Sequence, residues 1–260
     1  MNSKGLAAAE TGDPEIQFLR AQELALGESA DLAQARMWYE KAAEQGHTAA
    51  QNNFGCMLLD GLGGPRDGEK AVLWFQRAAE AGDAEAQFNL AQRYVHGDVV
   101  PIDDALTAFW AEKASANWHV KATTILGTCY LYGRGVEKNL LHAARLYVRG
   151  ARGRDVVAHG NLASCRRELE DLAQTGNKAA ALITALLYAE GLGGEIDNTL
   201  AKYWLTRLDE LHGDALDSDD ESDRLRLFDI LYHPYDPTDP VQVERRQRAM
   251  RLRFTGSSEP

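Results

Sequence analysis

The sequence predicts an all-α fold: an α-solenoid, or superhelix, of stacked antiparallel helix pairs with a C-terminal capping helix and tail. Three observations carry that prediction. Residues recur in phase: Trp38, Trp74, Trp110 and Leu146 fall at intervals of 36 residues, as do Phe54, Leu90, Leu126 and Leu162. Gly55, Ala91, Gly127 and Ala163 keep the same interval, and so do Lys41, Arg77, Lys113 and Arg149. A period of roughly 20–50 residues marks stacked units that cannot bury their apolar faces alone. Within each period the apolar residues take helical spacing: Ala71, Trp74, Phe75, Ala78 and Ala79 recur at i, i+3, i+4, i+7 and i+8. Finally, "DGLGGPRDG", "HGDVVPIDD", "YGRGVEKN" and "EGLGGEIDN" supply the Gly and Pro that turn a chain between helices.

The units follow in order. Residues 1–12 are expected to be a flexible N-terminus, and 13–46 form a first, atypical unit. Asp13-Pro14 places a cap before a proline that tolerates the first helical position, and Arg20 stands where Phe54 and Leu90 stand later. In 47–82, Thr48 and Gln51 have capping-box spacing, and Gly46 and Gly82 end second helices. In 83–118, Asp83 caps a first helix whose stripe is Ala86, Gln87, Leu90, Ala91 and Tyr94. Small residues at Gly55, Ala91 and Gly127 let a neighbouring helix approach closely. The unit 119–154 keeps the phase. After Asp155 it jumps, because Trp204 lies 58 residues beyond Leu146, which leaves a truncated unit, 155–176. No Gly or Pro lies between Gly160 and Gly176, so 155–174 is expected as one long helix or a tight hairpin. Either form breaks the superhelix into two arrays, 13–154 and 177–212. The repeat resumes in 177–212 with "LLYAEGLGG" and "AKYWL".

Residues 213–260 complete the chain. The stretch 209–223 holds eight acidic residues and no Lys or Arg, and reads as a solvated loop. "RLRLFDILY" (224–232) suits a helix capping the last repeat, "HPYDPTDP" a linker, and "VQVERRQRAMRLRF" (241–254) a basic helix.

The pattern L-G-x-x-Y-x-x-G-x-G, then K-A-x-x-W-[YF]-x-K-A-A-E-x-G, resembles the Sel-1-like repeat, a relative of the tetratricopeptide repeat. Units 47–82, 83–118 and 119–154 match best, with "LGTCYLYGRGV" at 126–136. The resemblance implies a TPR-like solenoid whose work is protein binding.

Net charge is −11 over 260 residues, which disfavours nucleic acid as a partner. No window approaches the ~18 apolar residues of a membrane span, and the N-terminal stretch lacks the apolar core of a secretory signal. Three widely spaced cysteines make no disulfide framework, so the expected location is cytoplasmic. The tryptophans lie on the apolar stripe, whereas a base-stacking platform needs exposed rings beside basic residues. No G-x-x-x-x-G-K-[ST], G-x-S-x-G or H-E-x-x-H occurs, and neither the cysteines nor the seven histidines have metal-ligand spacing. Hence no catalytic residue, cofactor or metal is expected.

In helical-repeat proteins the first helix of each pair lines the concave side. The off-stripe positions there give a candidate partner-binding set: Asn52, Asp60, Glu85, Phe88, Gln92, His96, Thr128 and Tyr132. Phe88 and Tyr132 suit hot spots, with ordinary inter-repeat packing as the competing explanation. The leading functional expectation is a non-catalytic scaffold gripping a protein in the concave groove. A bacterial immunity protein against a basic toxin or effector domain is one version, and a secretion chaperone or regulatory adaptor another. An enzyme on a helical scaffold and a nucleic-acid binder through the C-terminal arginines are the readings from other classes.

Overall fold

The computed structural model describes residues 12–26, 30–211, 216 and 218–232. Among these residues there are twelve helices and no strand. The first eight are α1 (Pro14–Leu26), α2 (Leu32–Glu44), α3 (Thr48–Asp60), α4 (Gly68–Glu80), α5 (Ala84–His96), α6 (Asp104–Ala116), α7 (Val120–Tyr132) and α8 (Leu140–Arg152). Then come α9 (Val156–Gln174), α10 (Lys178–Glu190), α11 (Asn198–Glu210) and α12 (Ser218–Tyr232). The chain divides into two compact units, 1–159 and 160–260.

In the first unit, α1–α2, α3–α4, α5–α6 and α7–α8 are packed pairs, and α2–α3, α4–α5 and α6–α7 join each pair to the next. Trp38, Trp74 and Trp110 are buried in this packing, with their neighbours Tyr39, Phe75 and Ala111. Where a first helix crosses its own second helix, size is matched reciprocally. A Cβ on Gly55 would come within 2.7 Å of the Phe75 ring, and one on Gly127 within 2.7 Å of the Tyr147 ring. In the unit between, the same two positions are Ala91 and Ala111, both fully buried. Glycine receives a ring, and alanine faces alanine.

The first helices end on left-handed glycines, Gly61, Gly97 and Gly133, whose N–H groups donate to the carbonyls of Met57, Arg93 and Cys129. At the other end the cap of α3 is His47 rather than Thr48, since His47 Nδ1 accepts from the Ala50 N–H at 3.1 Å. Thr48 is already inside the helix. His119 Nδ1 does the same for Ala122, while Asp83 caps α5.

These caps come in two alternating kinds. His47 stacks on Phe18 with centroids 4.5 Å apart, and its Nε2 lies 3.0 Å from Glu15. His119 stacks on Phe88 at 4.4 Å and its Nε2 lies 3.0 Å from Glu85. Between and after them stand Asp83 and Asp155. Asp155 accepts from the Val157 N–H and from Thr124 Oγ1, the residue in phase with Phe88. Junctions between units therefore alternate, histidine with aromatic and glutamate, then aspartate.

The stretch 155–174 is one helix: α9 runs 19 residues. Its buried residues Ala158, Leu162, Cys165, Leu169 and Ala173 follow one helical stripe.

In the second unit, α10 is buried along nearly its whole length, from Ala180 to Leu187 and at Ala189. It packs on α11 and α12. Trp204, Leu205 and Leu208 of α11 are buried, as are Leu227 and Leu231 of α12. Arg224 ties α12 to Asp209, and Arg226 reaches Glu190 at 3.6 Å. The acidic stretch 209–223 is thus not all loop: Asp209 and Glu210 end α11, and Asp220 and Glu221 belong to the start of α12. Negative charge in a first turn is favoured by the helix dipole, so acidity and helix are compatible there. The expected N-terminal flexibility of 1–11, the linker 233–240 and the basic helix 241–254 lie outside the described residues.

Candidate partner-binding surface

With Cys56 and Thr124 at the equivalent places, the first-helix positions singled out from sequence other than Glu85 form three rows in phase, and the rows differ in burial. Asn52, Phe88 and Thr124 form a buried row. Phe88, only 6% exposed, lies under the His119 ring, and Asn52 Oδ1 accepts from Asn89 of the next unit at 2.9 Å. The expectation that Phe88 and Asn52 face a partner is therefore corrected: both are inter-unit packing. Phe88 packs with Ala114, Ala122 and Ile125 of the helices that follow, and Asn52 is bonded across to α5.

One turn on, Cys56, Gln92 and Thr128 are half-buried, and Thr128 Oγ1 lies 3.1 Å from the Tyr147 hydroxyl. At the helix ends Asp60, His96 and Tyr132 are exposed. Tyr132 is 64% exposed, and the Arg134 guanidinium sits 5.5 Å from its ring centre. Glu85 is exposed too, although engaged with His119. The structure thus brings Asp60, His96 and Tyr132 to the surface in one row, with Glu85 near the opposite end of α5.

The three cysteine thiols are held protonated. Burial pushes the Cys56 and Cys129 thiols up to about 11 and raises the Cys165 thiol too. Uncharged at neutral pH, they are poor nucleophiles and poor metal ligands. Among the described residues no group of three or more His, Cys, Asp or Glu is placed to hold a metal ion. Nor is any described helix long and apolar enough to cross a membrane.

A second surface was missed from sequence. Four tryptophans are buried, but Trp118 is 78% exposed and has a φ of +63°. It occupies the turn position that Gly46 and Gly82 hold in earlier units, where left-handed backbone favours glycine. The signal was present: a tryptophan off the 36-residue phase of the other three, in phase instead with two glycines. Beside it, a hollow of about 580 Å³ is lined by residues that include Glu80, Gly82, Gln87, Phe109, Lys113 and Asn117.

A profile of the Sel1 repeat matches residues 17–47, 48–83, 84–117, 120–155 and 178–208. No curated protein matches the chain. Among solved structures, the chain is similar to a protective antigen of uropathogenic Escherichia coli displaying an SLR fold. Identity is 25% and the TM-score 0.62, covering 96% of this chain and 56% of that one. The chain thus spans little more than half of that protein's length. It is also similar to a Sel1 repeat protein from Oxalobacter formigenes, at 23% identity and a TM-score of 0.54, covering 94% and 89% of the two chains. An immunity protein of Pseudomonas aeruginosa matches at 18% identity and a TM-score of 0.42, covering 88% and 90%.

Proposed function

The chain belongs to the Sel1 repeat family, whose members are protein-interaction scaffolds, and from that premise we propose that it grips a protein domain with its first helices and does no chemistry on it. The observation that carries this reading is Tyr132. It is a large aromatic left in solvent at the end of α7, in phase with exposed Asp60 and His96. Exposed aromatics of this kind supply much of the binding energy at protein interfaces. The exposed carboxylates of Asp60 and Glu85 on this face suit a basic partner domain, as a toxin is to its immunity protein. A chaperone or adaptor would use the same face in the same way.

The test is cross-linking of the full chain in its native cells, with mass spectrometry to identify the partner and the linked residues. The expected cross-links fall on α3, α5 and α7. Tyr132→Ala then costs ~1–2 kcal/mol of affinity, mainly through faster release. Raising salt slows association, because charges beyond ~8–10 Å are screened. A partner bound equally well by Tyr132→Ala, with cross-links elsewhere, removes this face from consideration.

A further inference from the structure

The stretch of chain that carries Trp118 is basic, against the acidic total. Between Lys113 and Arg154 the chain carries eight lysines and arginines against one acid, Glu137. That stretch is +7 within a chain of −11, so the remainder is −18. Lys113 and Lys121 are exposed near the turn, at the end of α6 and the start of α7, and Arg154 is exposed in the equivalent turn one unit on.

At that next turn the glycine is replaced again. Arg154 has a φ of +68°, so two successive units put a bulky side chain where the backbone favours glycine. Backbone held in a sparsely populated region, with the side chain delivered to solvent, is a recurrent feature of functional sites. The packing of the array does not require Trp118, since Gly46 and Gly82 close the same turn without a side chain.

The indole is nevertheless held in place. The Arg149 guanidinium lies 4.5 Å from the ring centre and is itself fixed by donating to the Ser115 carbonyl. Further apolar side chains are exposed at the next turn and at the hollow. Val156 is 81% exposed just beyond Arg154, Val157 is exposed too, and Phe109 faces the hollow with Lys113 5.0 Å from its ring centre. Asn117, the neighbour of Trp118, donates to Gln87 Oε1 across the hollow at 3.4 Å.

We propose that this edge is a second binding surface, distinct from the first-helix face, and that it takes an acidic segment of a partner protein bearing an aromatic or branched aliphatic anchor. The anchor packs on Trp118 and into the hollow beside Phe109. The carboxylates meet Lys113, Lys121 and Arg154. Charge complementarity sets this choice, because Lys113, Lys121 and Arg154 are exposed here and an acidic segment is the peptide class that they attract. Nucleic acid fits less well. One indole face is already taken by Arg149, Val156 and Val157 give nothing to a phosphodiester chain, and the acidic remainder repels a long polyanion.

The test is panning of a phage-displayed random dodecapeptide library on the full-length protein, followed by titration of the enriched peptides. Peptides with an aromatic or aliphatic residue flanked by Asp or Glu are expected. Their affinity should fall about tenfold or more for Trp118→Gly and for Arg154→Gly. Both variants restore the glycine of the other turns, so their melting temperatures should match or exceed the parent's, which separates binding from folding. Three results would overturn the proposal: no peptide that discriminates parent from Trp118→Gly, enrichment of basic peptides, or a dT12 oligonucleotide that binds the parent in a Trp118-dependent way. Peptides that lose affinity with Tyr132→Ala but not Trp118→Gly would overturn it while leaving the first-helix reading intact.

Discussion

Phe88 and Tyr132 are both aromatics off the apolar stripe of a first helix, yet one lies beneath His119 and the other stands in solvent. Helical phase places both on the same kind of face. What separates them is the level along the helix, because the row of Asn52, Phe88 and Thr124 meets the next unit and the row of Asp60, His96 and Tyr132 does not. Phe88→Ala is therefore a core truncation. It should lower unfolding free energy by ~3–5 kcal/mol in urea denaturation, the usual cost of emptying a buried aromatic site. A loss below ~1 kcal/mol would return Phe88 to the surface. Residue chemistry was legible where burial is decided within one helix, as for Trp38, Trp74 and Trp110. It was not legible where burial depends on the spacing between neighbouring units. Trp118 belongs to a third case: its exposure follows from a backbone angle that only the position of the turn reveals.

Helix ends and crossings tell the same story one level up. The boundaries at Asp13-Pro14, Asp83 and the glycine loops could be read directly, because these residues cap and turn by their own chemistry. His47 and His119 could not, since histidine is not among the usual capping residues, and here Glu15 and Glu85 lie against their outer nitrogens from the preceding unit. The helix crossings give the sharpest test. Gly127→Ala would push a methyl to 2.7 Å from the Tyr147 ring and should cost ~1–3 kcal/mol, the range for overpacking a filled core. Tyr147→Ala alone leaves a cavity. Adding Gly127→Ala to it recreates the pair found at Ala91 and Ala111, so the second substitution should cost nothing further. Thermal melts of the four proteins close this cycle, and strict additivity would refute the reciprocal fit.

For the molecule as a whole, the period made the order of the helix pairs legible, because a 36-residue repeat leaves few ways to arrange them, while 155–174, out of phase with it, left one long helix and a tight hairpin both open. Charge was less legible. The acidic total concealed the basic stretch from Lys113 to Arg154, since a sum over the chain says nothing about where its terms fall. The alternating junctions reach further than stability. A unit ending in one kind of contact accepts only the matching neighbour, so length can change without a mismatch only in steps of two units: the array has a parity. Removing residues 47–118 would bring Phe18 and Glu15 against His119, replacing Phe88 and Glu85 with their counterparts. Removing only 83–118 would set the His119 ring on Asn52 and leave it without its glutamate. The shorter protein should then melt higher than the longer one, against the ordinary rule that more repeats are more stable. Duplication in this lineage would have proceeded by pairs, and an odd-numbered relative should show a repaired joint at the place where a single unit was gained or lost.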